Sequence, residues 1–133
     1  MKINDIFSFS RVITEENLAR YIELSRDNHP LHTSVEFAHK YGFKKNIVPG
    51  MLVATCFSEL VGVHLPDRNY FYLSQTLTFH HPLYVGTMIT VSAMTEHISE
   101  TTGIATLKSK ITDKFGKLII SGQMRVKKLK STS

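Results

Sequence analysis

Gly50–Leu65, read GMLVATCFSELVGVHL, is the stretch that decides how the rest of the chain must be arranged. Pro49 and Gly50 open it and Pro66 closes it. Between them Met51, Leu52, Val53, Ala54, Cys56, Phe57, Leu60, Val61, Val63 and Leu65 occupy nearly every side of a helical wheel. That pattern predicts a helix buried all round. It has too few consecutive apolar residues to cross a bilayer, so the chain itself must wrap it. The start of this helix carries a second message. First-turn N–H groups lie unpaired at the positive end of the helix dipole, and a glycine there lets a ligand approach the backbone closely.

Downstream of Pro66 the hydrophobic period changes. Tyr70–His80, Thr87–Ile98, Ile104–Thr112 and Leu118–Lys128 read as strands. In the last of these Leu118, Ile120, Gly122, Met124 and Val126 make one face, and Ser121, Gln123, Arg125 and Lys127 the other. Short turn-rich segments at 82–86, 99–103 and 113–116 separate the four, which predicts antiparallel neighbours. Upstream, Ile6–Ile13 reads as a short strand. Thr14 caps a helix from Glu15 to about Ser25, with Leu18, Tyr21, Ile22 and Ser25 on one face. Thr33 and Glu36 have the spacing of a capping box for a short helix ending near Tyr41 and Gly42. Phe43 to Asn46 is a basic loop. The expected fold is α+β: one domain over residues 1–133, an antiparallel sheet curled around one buried helix.

Composition narrows the function classes. A chain of 133 residues with 42% hydrophobic content supports one real core. Sixteen basic against eleven acidic residues give +5, which favours an anionic partner. Lys127, Lys128 and Lys130 form the densest basic cluster and read as a solvated tail. With one cysteine, Cys56, there is no intramolecular disulfide and no cysteine-based metal cluster. Cys56 reads as a packed thiol, and Met51, Met88, Met94 and Met124 as core filler. Nothing resembles a signal peptide or spanning segment, so the expectation is a cytoplasmic protein without membrane contact. The N-terminus has no room for an added helix-turn-helix, so no nucleic-acid role is expected.

The chemistry-bearing segment is Ser25-Arg26-Asp27-Asn28-His29-Pro30-Leu31-His32. Pro30 keeps Asp27 and His32 off one regular helix face, but a turn around it can bring them together. Each feature alone has a plain structural reading. Asp27 can cap a turn, His32 can precede a helix cap, and Pro49-Gly50 can be a turn and helix start. Ser58 reads as a hydroxyl bonded back to its own helix. His80 and His81 are adjacent in a strand and face opposite sides, a poor chelate, so no metal site is assigned. His39 and His64 have no partner pattern.

Taken in one register, Ser25-x-Asp27-x-His29-Pro30-Leu31-His32, Ala38, Ile47-Val48-Pro49-Gly50-Met51-Leu52, Phe57-Ser58-Glu59-Leu60-Val61-Gly62, Tyr72 to Phe79 and Pro82-Leu83-Tyr84-Val85-Gly86 resemble the MaoC-like, R-specific enoyl-CoA hydratases. The resemblance covers nearly the whole chain. It implies a hotdog fold, a sheet wrapped around a central helix, and usually a dimer. It implies that Asp27 and His32 hold a water, that the Gly50 N–H receives the thioester oxygen, and that Ser58 supports the site. Two positions depart from the family's usual pattern. Arg26 stands where a small or acidic residue is common, and His29 stands where asparagine is common and can shape the turn.

The implied reaction is addition of water to a trans-2-enoyl thioester, or the reverse dehydration, with no metal or redox cofactor required. The implied substrates are thioesters of coenzyme A or acyl carrier protein, with Lys44, Lys45 and Arg68 as candidates to meet phosphates. Two other readings remain open on sequence: a hotdog thioesterase, and an acyl-thioester-binding module without catalysis. A homodimer or higher homo-oligomer is expected, because one such sheet leaves an open edge and an exposed helix side.

Overall fold

The computed structural model describes residues 1–132. Strand β1 (Ile6–Val12) leads into helix α1 (Glu15–Ser25). Thr14 caps α1 as expected: its hydroxyl accepts from the Asn17 N–H, and the Asn17 side chain accepts from the Thr14 N–H. The expected box at Thr33 and Glu36 does not form. Pro30 occupies the first turn of a helix and starts one, α2 (Pro30–Thr33), with His29 as its cap. Thr33 is thereby consumed in α2. Ser34 then ends α2 and caps α3 (Val35–Lys40), its hydroxyl accepting from the Phe37 N–H at 3.1 Å.

The central helix α4 spans Gly50–Glu59 and continues as a wider π turn over Leu60–His64. That turn closes with the Leu65 N–H on the Leu60 carbonyl, five residues back. Leu65 itself is extended (φ −73, ψ 154), the conformation that Pro66 imposes on its predecessor. The helix is not buried all round. Leu52, Val53, Cys56, Phe57, Leu60 and Val61 are buried. Met51, Thr55, Ser58 and Gly62, spaced four, three and four apart, form one exposed stripe. The wheel hid this stripe because the apolar residues around it are so dense.

The sheet has the order β1-β4-β5-β6-β2, with β2 Tyr70–Gln75, β4 Met88–Ser99, β5 Ile104–Asp113 and β6 Leu118–Lys128. All pairings are antiparallel. The β4–β5 and β5–β6 hairpins match the sequence expectation. The strand before β4 does not: β2 pairs with β6 at the far edge, and β1 takes the place beside β4. The connection through residues 80–87 therefore carries the chain across the sheet to β4, between β1 and β5. Alternation in β4 and β5 points Ile89, Val91, Ala93, Leu107 and Ile111 at α4, where all are buried. Of the methionines read as core, Met124 is fully buried, whereas Met51 and Met88 are exposed.

The single strand expected over Tyr70–His80 is interrupted. It stops at Gln75 and resumes as β3 (Thr78–Phe79), which also pairs with β6. The Gln75 amide donates to the Thr76 carbonyl and to Ser109. Gly122 of β6 lies under the break, where a Cβ would clash with the Thr76 carbonyl oxygen. That oxygen belongs to backbone pinned on both sides, since Thr76 and Gln123 exchange hydrogen bonds. Gly122→Ala is therefore expected to cost about 1–3 kcal/mol, measured by urea unfolding. A variant as stable as the parent would mean that residues 76–77 shift freely. Among the described residues no helix is long and apolar enough to cross a membrane.

Candidate active site

The chain leaves α1 through Arg26 in a left-handed conformation (φ 62), its N–H bonded to the Ile22 carbonyl. This reversal projects Asp27 away from the helix. Two contacts then fix the turn: the Asp27 N–H donates to the Ser25 hydroxyl at 3.0 Å, and the His29 N–H donates to Asp27 Oδ1 at 3.3 Å. His29 Nδ1 accepts from the Leu31 N–H at 3.1 Å, so this histidine shapes the turn through nearby backbone. One oxygen of Asp27 is thus engaged and the other, Oδ2, is free to face His32.

His32 is held from the other side. Its Nδ1 lies 2.8 Å from the Ile47 carbonyl. A carbonyl only accepts, so Nδ1 carries the proton, and in that tautomer Nε2 is the nitrogen that can accept. Nε2 stands 3.6 Å from Asp27 Oδ2. That separation is too long for a direct hydrogen bond and suits a water bridging the two groups. The His32 side chain is 12% exposed and that of Asp27 42%. Ile47 is tied in turn to α2, its N–H donating to the Leu31 carbonyl at 3.1 Å. The Ile47 carbonyl is the orienting group that sequence reasoning missed, because a backbone acceptor leaves no residue signature.

Three residues beyond Ile47 the central helix begins. Val48 N–H bonds to the Leu83 carbonyl, and Pro49 caps α4 without a side-chain bond. Among the described residues no acceptor meets the Gly50 N–H. Gly50 borders a cavity of about 430 Å³ lined mainly by Ile47, Met51, Phe79, His81 and Leu83. The Phe79 ring packs directly on Gly50, 2.6 Å from where a Cβ would stand. A side chain at 50 would displace that ring, which gives the glycine a structural reason. Ile47 belongs both to the cavity wall and to the His32 anchor, so the Asp27–His32 pair and the open helix start share one scaffold.

The other sequence candidates fall elsewhere. Ser58 lies on the exposed stripe and its hydroxyl has no hydrogen-bond partner among the described residues; Thr55 is the hydroxyl bonded back, to the Leu52 carbonyl at 2.6 Å. Ser58 borders a separate cavity of about 250 Å³ with Met51, Thr55, Tyr72, Gln75 and Leu77. Arg68 follows the far end of the helix, roughly 20 Å of helical rise from Gly50, and donates to the Gly62 carbonyl. The Lys45 ammonium donates to the Val85 carbonyl. His80 and His81 go to different partners, the Ser121 hydroxyl and the Leu118 carbonyl.

Two histidines without a sequence pattern do have partners: His39 meets the Lys44 carbonyl at 2.7 Å, and His64 meets Glu59 at 3.0 Å. Glu59 also receives Arg11 at 3.0 Å, and His64 stacks on Phe9, which ties β1 to the helix. Burial pushes the Cys56 thiol up, Glu59 adding and Arg11 opposing, so the thiol stays protonated as a packed group. Burial likewise raises Tyr72 well above the ordinary phenol range. Its hydroxyl donates to Gln75 at 2.8 Å.

Comparison with known proteins places the chain and its fold. The family model described as the MaoC like domain matches residues 5–116. The chain is 38% identical over 110 residues to an (R)-specific enoyl-CoA hydratase of Aeromonas caviae, covering 83% of this chain and 82% of that one. It is 34% identical over 125 residues to a mitochondrial 3-hydroxyacyl-[acyl-carrier-protein] dehydratase of Solanum lycopersicum, covering 92% and 74%. The solved (R)-hydratase from A. caviae superposes with a TM-score of 0.91 at 33% identity, covering 97% of this chain and 98% of that chain. The fold is thus the hotdog arrangement of an antiparallel sheet on a central helix, and the chain belongs to the MaoC-like domain family.

Proposed function

We propose that this chain is a hydro-lyase that adds water R-specifically to trans-2-enoyl thioesters, or runs the reverse dehydration of (R)-3-hydroxyacyl thioesters. The observation that carries the reading is the pair Asp27 Oδ2 and His32 Nε2, set 3.6 Å apart and tied through Ile47 to a helix start whose Gly50 N–H meets no acceptor among the described residues. A water donating to both acceptors has its oxygen lone pair directed outward. It attacks the β-carbon while one of its protons passes to the pair. The C=C π electrons move onto the thioester carbonyl, whose oxygen becomes negative against the Gly50 N–H. The pair returns one proton to the α-carbon, the carbonyl re-forms, and the charge on the pair is restored. Positioned acid/base groups contribute about a hundred- to ten-thousand-fold, and one preorganised donor to such an oxygen is worth about 3 kcal/mol.

Nothing in the geometry favours hydrolysis of the thioester, which would need the water aimed at the carbonyl carbon. The test is consumption of crotonyl-CoA and longer trans-2-enoyl-CoA substrates, followed by loss of enoyl-thioester absorbance with chiral analysis of the product. The (R)-3-hydroxyacyl thioester is expected. An (S) product, or release of free thiol instead of hydration, would refute the reading.

The working form we propose is a homodimer. Edge strand β2 leaves Phe71 and Leu73 exposed, each 42%, while its Tyr72 and Gln75 line a recess with Met51, Thr55 and Ser58 of the α4 stripe. An open edge next to an exposed helix stripe of mostly small side chains suits pairing with a second copy. Light scattering is expected to give twice the mass of 15.1 kDa across micromolar concentrations. Leu73→Lys is expected to shift the mass toward the monomer. A parent protein that stays monomeric would overturn this assignment.

A further inference from the structure

The cavity at Gly50 does not end at its own rim. Pro82 and Leu83 line both that cavity and a neighbouring recess of about 450 Å³. The recess is otherwise bounded by Lys44, Tyr84, Thr87, Asp113, Phe115 and Lys117. Its electrostatics favour an anion. Lys44 and Lys117 have ammonium groups with no acceptor among the described residues. The single acidic neighbour, Asp113, spends Oδ1 on the Phe115 and Lys117 backbone N–H groups, both at 2.9 Å. Lys114 adds a further positive charge, its Nζ standing 5.2 Å from the Phe115 ring centroid.

The recess is also built for a flat ring. Phe115 is 80% exposed at the tip of the β5–β6 turn, a large apolar surface that core packing does not explain. Its loop is nonetheless ordered by the two Asp113 bonds. On the facing side Lys44 is pinned at both backbone ends: its N–H donates to the Tyr84 hydroxyl at 3.3 Å, and its carbonyl meets His39 at 2.7 Å. Two lysines on fixed backbone and one exposed aromatic ring match phosphate charge and a stacking base. A concave volume of this size accommodates a small ligand, whereas a carrier protein would engage a broad surface patch.

We propose that Lys44, Lys117 and Phe115 form a nucleotide subsite that takes the phosphorylated adenosine end of coenzyme A. The pantetheine arm would cross the Pro82–Leu83 saddle to bring the thioester to Gly50. This rests on the enoyl-thioester reading for the arm, but the subsite itself can be tested without turnover. The first measurement is calorimetric titration of adenosine 3′,5′-bisphosphate into the parent protein, Lys44→Ala/Lys117→Ala and Phe115→Ala. The parent is expected to bind, each variant about ten-fold more weakly or worse, with affinity falling as salt rises.

The second measurement compares kcat/KM for crotonyl-CoA and crotonyl-pantetheine, which lacks the nucleotide. The parent's preference for the coenzyme A thioester is expected to shrink about ten-fold in the lysine double variant. Equal nucleotide binding in parent and variants, or no binding by the parent, would overturn the subsite. Hydration of crotonyl-pantetheine with no nucleotide binding would leave the proposed reaction standing and remove only the subsite. Nucleotide binding that depends on these residues, with no hydration of any enoyl thioester, would do the reverse. Loss of activity toward an acyl-carrier-protein thioester alone in the lysine variant would assign the patch to a protein carrier instead.

Discussion

Asp27→Asn and His32→Ala are each expected to lower kcat/KM for enoyl-thioester hydration about a hundred-fold or more. The cause differs between the two. Asparagine at 27 keeps an oxygen for the His29 N–H but puts a neutral amide where a charged acceptor should draw the water's proton. Alanine at 32 removes the Nε2 lone pair altogether and leaves the Ile47 carbonyl without its donor. The first variant is expected to melt close to the parent, because Asp27 is 42% exposed. The second should lose about 1 kcal/mol for the missing hydrogen bond. The double variant is expected to be scarcely slower than either single one, since two groups that hold one water act as a unit. Initial rates by enoyl absorbance, paired with thermal melts, check all three. Near-parental rates in either folded single variant would remove the pair from the mechanism.

Phe57→Ala is expected to cost about 3–5 kcal/mol in unfolding free energy, the largest stability loss of any substitution discussed. Phe57 is 1% exposed and belongs to the core that α4 shares with the sheet. Removing its ring leaves a void between a helix and strands that cannot close without breaking ladder hydrogen bonds. Phe57→Leu retains most of the volume and should cost far less. Urea titration measures both, with the slope of free energy on denaturant expected to stay constant. A loss below about 1 kcal/mol for Phe57→Ala would mean that the sheet collapses onto the void, contrary to a closely packed core. Activity should fall with stability here, because α4 carries Gly50.

Much of the candidate site was legible because its parts are local. Asp27, His29 and His32 sit within six residues around one proline, and Gly50 is marked by a helix start. Their joint register carries the family resemblance. The contacts that orient the pair were not legible. His32 takes its orientation from a backbone carbonyl fifteen residues away, and any residue but proline supplies such a donor and acceptor set. The cap at Ser34 was missed by one position, since the sequence did not say that Pro30 would start a helix rather than merely stop one. The stripe of Met51, Thr55, Ser58 and Gly62 was masked by dense apolar neighbours.

By itself the sequence determined the central helix, the strands, the antiparallel hairpins after Ser99, and Asp27, His32 and Gly50 as candidate site residues. Each depends on side-chain period or on chemistry within a few residues, and both are written along the chain. Tertiary structure alone decided that β2 pairs with β6 across the sheet, while β1 rather than β2 lies beside β4. It also decided that the strand breaks at Thr76 over Gly122, and that Ile47 joins His32 to the helix start. These are pairings between distant residues through backbone groups that every residue carries, so only the packing of the whole sheet on its helix selects among them.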